Sequence, residues 1–541
     1  MSEEPTILHE SEKAIDAFGA NDVALRYLGN PFTESELVIG LVGAVGTDLD
    51  SVVNILTQRL NTAKYDVTEI RISKQIIPQL FPRQDSPSGE YERISWGMKD
   101  GDEARKRSGD NSILAIGAAW TIHSLREKDA KGNPKPASRR AYIINSLKNP
   151  EEVFRLRQIY RMGFYVLGVH SDEKRRRGVL KDIKRILVDD DINDLIKRDQ
   201  NEHLPYGQRL TDTFHLSDFF VREDGDADRL QHELRRIVDV LFGHPYKTPT
   251  FDEYAMFLAF ASSLRSADMS RQVGAVIADD YEIISTGAND CPSFGGGLYW
   301  PKYNPKSRDI EDKDKGRDYT HGQDLNKAEQ REIISQILEL AAQKELDATK
   351  LQEVLEASRI KELNEFGRAV HAEMEALLAC ARTGANTKGA TLYCTTFPCH
   401  NCAKHIIAAG IHRVIYIEPY EKSKAEKLHG EAMTIGFSNQ NGLEDQKEVL
   451  FQPFVGVGPR HFLDLFSLRL GSGSFLERED KNSSAIDWQP EKSELRLQMV
   501  PSTYLDIEVE ASVMFNQKRL ELRGKDDGRQ GRSTSGNGSE H

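Results

Sequence analysis

A histidine, a glutamate and two cysteines are the residues of this sequence best suited to chemistry. His371 and Glu373 stand in the segment His-Ala-Glu, and Cys399 and Cys402 stand in the segment Pro-Cys-His-Asn-Cys. Catalytic zinc takes three protein ligands and leaves a fourth position for water, so we expect His371, Cys399 and Cys402 to be those ligands. Glu373 follows the histidine too closely to bind the same metal comfortably, but it can carry protons to and from that water.

These four residues together predict a hydrolytic nucleobase deaminase with Zn2+ as its cofactor. In such enzymes a zinc-activated water attacks the ring carbon that carries the amine, and a glutamate outside the ligand set serves as acid and base. Two alternatives remain open at this point. One is a structural zinc site, which a fourth Cys or His would close, with Cys394, His400 and His405 as nearby candidates. The other is a set of buried thiols that bind no metal.

The local sequence predicts how these residues are positioned. An apolar helix is expected to open at His371, and a strand over residues 390–394 is expected to follow it. Pro398 then starts a second helix, because proline is well tolerated in the first helical turn. Cys399 and Cys402 would share one face of that turn, where the positive end of the helix favours thiolates.

Composition sets limits on the kind of protein. The 541 residues, 38% hydrophobic and 29% charged, predict two or more domains with real cores. We expect a cytoplasmic protein with no membrane segment, because no apolar run of about 18 residues occurs and the acidic start lacks a signal-peptide pattern.

The five cysteines lack the paired spacing of a disulfide framework, which fits a reducing compartment. The net charge of -13 disfavours broad, sequence-independent binding to nucleic acid. The basic run at 174–177 predicts either a solvated helix face or a phosphate or RNA contact.

The pattern of apolar runs predicts an α/β protein with two main domains. Residues 36–235 alternate strands and helices, which favours a doubly wound parallel sheet, with core strands expected at 37–42, 113–116, 141–144 and 165–169. Residues 251–470 form the zinc domain, in which a helix at 253–264 and a hairpin over 273–286 precede the zinc segments. An insertion at about 292–366, helical from 330 to 363, either covers the zinc pocket or forms a supporting arm. The remaining segments are an extension (1–35), a C-terminal segment with a late strand (471–523; strand 502–515) and a disordered tail (524–541).

Four sequence blocks carry a resemblance to a known family. They are Arg271–Ile277, Gly287–Asp290, His371–Glu373 and Phe397–Lys404. In this order they resemble the deoxycytidylate (dCMP) deaminase family over about residues 251–435. The resemblance implies the cytidine-deaminase-like fold, a mixed sheet of about five strands flanked by helices, and hydrolysis of the cytosine C4 amine to give uracil and ammonia.

The same resemblance implies a set of substrate-binding residues. Asn289 would hydrogen-bond the deoxyribose or the base, and Arg271 would lie near the phosphate. Ala372, Phe397 and Pro398 would complete the substrate pocket. Plain turn chemistry at Asn289 and surface chemistry at Arg271 remain the alternatives.

A glycine-rich segment follows the first strand of the N-terminal domain and precedes a helix expected at 52–60. This segment, Gly40 to Gly46, resembles the phosphate-binding loop of small P-loop kinases, and the resemblance implies a nucleotide-binding residue set: Gly40, Gly43, Ala44, Val45, Gly46 and Thr47. Backbone amides at such a turn can cradle phosphate. The match then fails, because the final Gly-Lys-Ser/Thr of the motif falls on Asp48, Leu49 and Asp50. Phosphoryl transfer needs the missing lysine, so nucleotide sensing or a structural role is favoured over kinase activity.

The order of the two domains also resembles the bacterial anti-phage deoxycytidylate deaminases. That resemblance implies conversion of dCMP and dCTP to dUMP and dUTP, which would starve viral DNA synthesis. It further implies a homo-oligomer, an allosteric nucleotide and, in some members, an inhibitory RNA. Two other hypotheses stay open: an RNA or DNA cytidine deaminase, which would need a basic groove with aromatic stacking platforms, and a regulatory nucleotide- or RNA-sensing protein, against which the intact Glu373 argues.

Overall fold

The structure of the protein is a computed structural model. It describes residues 34–83, 85–200, 206–344, 346–363, 365–419, 423–437, 447–469, 471 and 473–533. The chain forms two compact units, one of residues 1–248 with 455–541 and the other of residues 249–454. Most of the expected N-terminal extension (1–35) lies outside the described residues. Within the described part of the chain, no helix is both long enough and apolar enough to cross a bilayer.

The first unit is built on a sheet of six strands, and strands β6 to β13 belong to the second unit. The six strands are β1 (Leu37–Gly43), β2 (Asp66–Arg71), β3 (Arg140–Asn145), β4 (Phe164–His170), β5 (Phe219–Arg222) and β14 (Gly456–Val457). Their order across the sheet is β14-β5-β4-β1-β3-β2. All neighbours are parallel except β14 and β5. Alternate side chains of β1 enter two separate cores, Val38 on one face and Leu37 and Ile39 on the other, as expected of a parallel sheet covered on both faces.

Helices cover both faces of this sheet. They are α1 (Leu49–Thr62), α2 (Ile77–Leu80), α3 (Glu90–Ser108), α4 (Ile113–Ser124), α5 (Pro150–Tyr160), α6 (Glu173–Gly178), α7 (Asp189–Gln200), α8 (Leu210–Phe214) and α9 (Ala227–Leu241), with α16 (Phe462–Phe466) and α17 (Pro501–Ser533) after the second unit. The strands expected at 37–42, 141–144 and 165–169 are present, whereas the strand expected at 113–116 is wrong because these residues begin α4. That helix is buried on nearly all sides, so its apolar run carries no helical period that would distinguish it from a strand.

The C-terminal segment also differs from the prediction. Residues 502–515, expected as a strand, belong to α17, which continues to Ser533 through part of the expected disordered tail; residues 534–541 lie outside the described residues. Helix α17 packs on α4, where Phe515 stacks on Trp120 at 5.2 Å between ring centroids. Its Glu508 forms a buried pair with Arg126, at 2.5 Å between carboxylate oxygen and Nε. Long-range packing, rather than local alternation, decides this element.

The second unit carries its own six-stranded sheet, in the order β12-β13-β11-β10-β6-β7. The strands of this unit are β6 (Gly274–Asp279), β7 (Glu282–Ala288), β8 (Lys302–Asn304), β9 (Asp309–Glu311), β10 (Thr391–Thr396), β11 (Arg413–Glu418), β12 (Met433–Ile435) and β13 (Val449–Pro453), of which β8 and β9 pair separately. Its helices are α10 (Phe251–Ser263), α11 (Leu325–Ala342), α12 (Ala348–Ala357), α13 (Ala372–Thr383), α14 (His400–Ala408) and α15 (Ala425–His429). The expected hairpin is β6–β7, and the sheet has one strand more than the five expected.

The boundary predicted at residue 470 differs from the structure. The chain returns to the first unit at residue 455, because Gly456 and Val457 pair antiparallel with Phe220 and Phe219 of β5. The two residues of β14 are too few to carry a readable strand pattern.

Candidate zinc and proton-transfer site

His371, Cys399 and Cys402 meet where two helices of the second unit begin. His371 is the residue before α13, and Cys399 is the residue before α14, both with extended backbone. Helix α14 therefore begins at His400 rather than at Pro398. The Nδ1 atom of His371 lies 3.4 Å from the Cys399 sulfur and 3.3 Å from the Cys402 sulfur. All three donor atoms lie within 4.8 Å of one another.

Close packing of β7 on α13 sets the position of the histidine. A Cβ atom at Gly287 would lie only 2.1 Å from the carbonyl oxygen of Ala372, so the strand approaches the helix as closely as it does only because residue 287 is glycine. Two backbone hydrogen bonds join Asp290 to Val370, one from each amide, at 3.2 and 2.9 Å. The residues after β7 are thereby fixed beside His371.

The donor set fits a zinc ion. Zinc bonds of about 2.3 Å to sulfur and about 2.0 Å to nitrogen at tetrahedral angles separate the two kinds of donor by about 3.5 Å, close to the separations of 3.4 and 3.3 Å seen here. One imidazole and two thiolates are typical zinc ligands. The residues present therefore fit the metal that the sequence predicts.

The proposed closing ligands do not join this group. Among the described residues the metal-ligating cluster has three members. Cys394 is fully buried on β10, where burial raises the pKa of its thiol, and it belongs to the apolar core. The Nδ1 atom of His405 lies 2.7 Å from the Asn401 carbonyl oxygen on its own helix. A set of three ligands is the composition of a catalytic zinc site rather than a structural one.

The side chains of His371, Cys399 and Cys402 differ in how their pKa values are shifted. The hydrogen bond from Cys402, supported by His371, lowers the pKa of Cys399 to about 3. The same hydrogen bond and burial raise the pKa of Cys402 above its usual range. The hydrogen bond to Cys399 raises the pKa of His371 to about 9. Cys399 is thus a thiolate near neutral pH, as its place at the amino-terminal end of α14 favours.

Glu373 is a buried carboxyl beside the ligands. Only 4% of the residue is exposed, and it lines the same cavity as His371 and Cys399. Burial raises its pKa, although the charge of His371 opposes this. A carboxyl whose pKa is raised toward neutrality can both accept and donate a proton during one reaction.

The cavity in front of these residues has a volume of about 470 Å³, large enough for a small ligand. One wall comes from the loop before β6 and another from Thr396, the last residue of β10, and Phe397 after it. The insertion supplies a further wall, through Asp318, Asp324, Asn326, Lys327, Gln330 and Leu363. The insertion therefore lines the pocket, as one of the two interpretations of residues 292–366 expected.

Asn289 reaches the cavity, but its amide group is engaged with the chain itself. Its Oδ1 accepts from the Val273 amide at 2.7 Å, and its Nδ2 donates to the Arg271 carbonyl at 2.9 Å. The side chain thus fastens the loop before β6 to the residues after β7. Arg271 lies at the cavity rim with 48% of its side chain exposed, 3.6 Å from Glu418.

The other predicted substrate residues surround the zinc ligands in different ways. Phe397 lines the cavity and packs edge-on against Tyr416, with 4.9 Å between ring centroids. Ala372 also lines the cavity and is fully buried. Pro398 is buried, and its carbonyl accepts a hydrogen bond from the Ser423 hydroxyl at 2.9 Å. Pro398 therefore supports the turn into α14 and is not among the residues that line the cavity.

Sequence reasoning missed the ion pairs that attach the insertion to the residues on either side of it. Arg317, only 5% exposed, pairs with Asp290 at 2.9 Å and with Asp312 at 2.9 Å, which ties the insertion to the end of β7. Arg368 donates to Asp318 at 3.1 Å. These residues belong to no motif, and only the buried pairing reveals their role.

The glycine-rich loop of the first unit opens into a separate cavity of about 540 Å³, lined by residues 43–47. Gly40 is not among the lining residues. It lies in the middle of β1 against Leu147, which a Cβ atom would meet at 2.5 Å. The two carboxylates expected to repel phosphate are both bound to other groups of the chain. Asp48 accepts hydrogen bonds from the Ser51 amide and hydroxyl. Asp50 pairs with Arg71 at 2.7 Å and with Lys184 at 3.2 Å.

The basic run at 174–177 serves the fold of this unit. Arg176 is buried and donates to the Val45 carbonyl of the glycine-rich loop at 3.2 Å. Arg175 pairs with Glu223 at 3.0 Å, and Arg177 pairs with Glu173 at 2.8 Å. Three of the four cations in the run therefore have partners within the unit.

Comparison with known proteins matches the second unit. Residues 249–418 match the cytidine and deoxycytidylate deaminase zinc-binding region. The deoxycytidylate deaminase of Enterobacteria phage T2 is 34% identical over 169 residues, which cover 31% of this chain and 79% of that protein. That of Saccharomyces cerevisiae is 27% identical over 234 residues, covering 41% and 57% of the two chains. Among solved structures, the dCMP deaminase of cyanophage S-TIM5 with dCMP and dUMP aligns with a TM-score of 0.21 and 18% identity, covering 38% of this chain and 98% of that one. From the zinc-ligand geometry and the match to the phage T2 protein we conclude that this chain belongs to the deoxycytidylate deaminase family.

Proposed function

We propose that the second unit removes the 4-amino group of cytosine from free deoxycytidine nucleotides, dCMP or dCTP, with zinc as cofactor. As a member of its family the chain is a cytidine-deaminating hydrolase. The observation that carries the proposal is the group of His371, Cys399 and Cys402, whose donor atoms lie within 4.8 Å of one another, at a cavity that His371, Cys399 and the buried Glu373 line.

The chain's own residues supply the proton transfers of this reaction. A zinc ion held by the three ligands would lower the pKa of water and provide the nucleophile near neutral pH. Glu373 accepts a proton as the water oxygen bonds to C4 of the ring, and gives it to N3. It then moves the second proton from the added hydroxyl to the amino group, the C4–N bond breaks, and ammonia leaves a uracil ring. Water is consumed, and no oxidant or further reactant is needed.

The cavity rim offers cations for the phosphate of such a nucleotide. Arg271 from the loop before β6 and Lys327 from α11 both line the cavity. Lys327 is well exposed, and its Nζ is 3.5 Å from Asp324. A third cation, Arg368, is bound to Asp318 and to the Gly316 carbonyl. Arg271 and Lys327 are therefore the residues proposed to meet the phosphate group.

Turnover measurements on the full-length, zinc-loaded protein test this proposal. Ammonia release is measured with dCMP, dCTP, CMP and a cytosine-containing oligonucleotide. We expect activity on the free deoxynucleotides and a loss of about 100- to 10,000-fold in Glu373→Gln, since general acid–base catalysis contributes that much. Release from the oligonucleotide alone would favour the nucleic-acid deaminase, and full turnover by Glu373→Gln would contradict the mechanism.

A charge-removal pair tests the phosphate contact. Lys327→Met should raise KM for dCMP and leave kcat nearly unchanged, because a contact made equally in ground and transition states affects binding only. Lys350→Met is the matched control, since Lys350 on α12 forms the same kind of exposed pair, with Asp347 at 3.4 Å, outside the cavity lining. Equal effects of the two substitutions would exclude a specific role for Lys327.

The proposed biological role is depletion of the dCTP pool as a defence against phage. Its support is the resemblance of the two-domain sequence to anti-phage deoxycytidylate deaminases, which also suggests an oligomer under nucleotide or RNA control. Cells carrying the wild-type or the Glu373→Gln protein would be infected, and dCTP and phage yield measured. A fall in both that needs Glu373 is expected, and equal phage yields would refute the role.

The glycine-rich loop of the first unit is proposed as an anion site of a nucleotide. Six basic and two acidic residues line its cavity: Arg71, Lys74, Arg93, Arg105, Lys148 and Lys184, and Asp50 and Glu90. Three of these cations, Arg71, Arg105 and Lys148, pair with carboxylates outside the lining, Glu69, Glu152 and Asp199. Cations beside backbone amides suit a phosphate-bearing ligand.

A further inference from the structure

A carboxylate of the chain itself lies on the glycine-rich loop. The Val45 amide donates to Oδ2 of Asp199 at 2.6 Å, and Lys148 donates to its Oδ1 at 2.7 Å. Lys148 also donates to the Gly43 carbonyl at 2.8 Å, so that one ammonium group joins the loop to the carboxylate. The Asp199 side chain has no exposed surface.

This arrangement has the chemistry of a bound anion. Backbone amides between a strand and the following helix bind phosphate or carboxylate, and a lysine beside them adds a charge-assisted hydrogen bond. Asp199 supplies the negative charge from α7, far along the chain from the loop. Gly46, with φ of +87°, lets the loop turn in the left-handed region at this point.

The surrounding cavity holds polar groups without partners. Arg105 lines the cavity and is only 3% exposed, and its Nε has no hydrogen-bond partner among the described residues. The buried hydroxyl of Thr47 is likewise without a partner in the described part of the chain. Buried polar groups are normally satisfied, and the terminal nitrogens of Arg105 are satisfied by Asp102 at 3.2 Å and Glu152 at 2.8 Å. Its Nε and the Thr47 hydroxyl are two groups of lining residues left for a polar ligand.

The helix that carries Asp199 is held by a small apolar cluster. Ile192, Leu195 and Ile196 of α7 pack with Val45, Met98, Leu180 and Ile186, apart from the two cores that flank the sheet. Elements held by few apolar contacts open at lower cost than those of the main core. Polar contacts also hold α7, among them Arg198 with Asp102 at 3.0 Å and Asn193 with Arg177 at 2.8 Å, but the helix belongs to neither core of the sheet.

We propose that Asp199 acts as a built-in competitor for the loop, so that a nucleoside polyphosphate binds the cavity only when its phosphate displaces this carboxylate. The inference rests on the anion site proposed above. It makes α7 a sensor element, because its release from Val45 and Lys148 is coupled to occupation of the loop. The apparent affinity for the polyphosphate is then lower than the intrinsic affinity, because only the molecules in which Asp199 has left the loop can bind it.

The test compares Asp199→Asn with Asp190→Asn in the full-length protein. Asp190 lies on the same helix and is exposed, nine residues earlier and so about 13 Å along the axis, and its substitution removes the same charge. Inorganic triphosphate is titrated into each protein by calorimetry, with ATP as a second probe. Asp199→Asn should bind at least about tenfold more tightly than the wild type, and Asp190→Asn should bind like the wild type.

Hydrogen exchange on the wild-type protein gives a measurement that does not depend on a variant. Triphosphate should slow amide exchange over residues 43–47 and speed it over residues 189–200. Protection of both segments, or equal affinities of the two variants when the wild type binds, would overturn the competition by Asp199. Absence of binding to all three proteins would overturn the anion site as well, whereas unchanged dCMP turnover would leave the deaminase proposal standing.

Discussion

Replacing Asn289 by alanine separates two roles for this side chain. In the structure both ends of its amide bind the backbone of the loop before β6, at Val273 and at Arg271. Alanine removes both bonds and leaves the Val273 amide buried without an acceptor. An orphaned buried donor costs about 1–3 kcal/mol, and the lost bond to the Arg271 carbonyl adds about 1 kcal/mol, so the loop should be destabilised by roughly 2–4 kcal/mol.

Hydrogen exchange over residues 266–275 measures this cost locally, which avoids treating a protein of two units as a two-state system. Since 1.4 kcal/mol is a factor of ten, protection should fall by roughly 30- to 700-fold in this segment. The KM for dCMP should rise in parallel, because Arg271 is carried by the same loop.

Asn386→Ala is the control for this substitution. The Asn386 side chain accepts from the Lys388 amide in an exposed turn, so its loss should leave exchange over residues 266–275 unchanged. If Asn289→Ala raised KM while that segment kept its wild-type protection, Asn289 would act on the substrate directly, and the reasoning from its backbone bonds would be refuted.

Two further substitutions and one titration follow from the geometry. Gly287→Ala must push β7 away from α13, because the new Cβ would lie 2.1 Å from the Ala372 carbonyl oxygen. We expect kcat/KM to fall about 100-fold and elemental analysis to show a loss of zinc. Gly89→Ala, at a residue with open space around it, should change neither kcat/KM nor the zinc content. Glu508→Gln leaves Arg126 buried without one of its charge partners. It should lower the free energy of unfolding of the first unit, measured by urea denaturation, by about 3–5 kcal/mol. Substitution of the exposed Glu510 by glutamine should have little effect on this free energy. Zinc binding at pH 7 should release about two protons, one from His371 and one from Cys402, because Cys399, with a pKa of about 3, is already ionised. The affinity for zinc should therefore fall as the pH falls. Calorimetric heats of zinc binding that do not vary with the ionisation enthalpy of the buffer would contradict this.

The residues proposed as zinc ligands could be found from the sequence because their positions are set by local features. His371 and the two cysteines each sit at the start of a helix, and helix starts are readable from a few adjacent residues. Only the joining of the two helix ends needed the tertiary fold. The central strands of the first sheet were predictable for a similar reason, since a short apolar run such as residues 37–42 forms one buried strand.

Other elements could not be predicted because distant residues decide them. The buried positions of α17 include Tyr504, Glu508, Ala511 and Phe515, a helical spacing that is hidden by the local alternation of Leu505, Ile507 and Val509. Glu508 reads as a surface charge until its buried partner Arg126 is known. In the same way, nothing in the sequence around Asp199 indicates that it reaches the glycine-rich loop.

The choice between a free nucleotide and a nucleic acid as substrate depends on the cavity rather than on the zinc ligands, because both classes of deaminase share the ligands and the glutamate. A nucleic-acid site needs a positive groove with aromatic platforms for successive bases. Among the residues that line this cavity, Phe397 is the one aromatic side chain, and the cations Arg271, Lys327 and Arg368 are balanced by carboxylates from the loop before β6, the insertion and α13. With one aromatic ring and no excess of positive charge, the cavity favours a single nucleotide over a strand. Because the insertion supplies one of its walls, we expect the insertion to limit the size of the substrate.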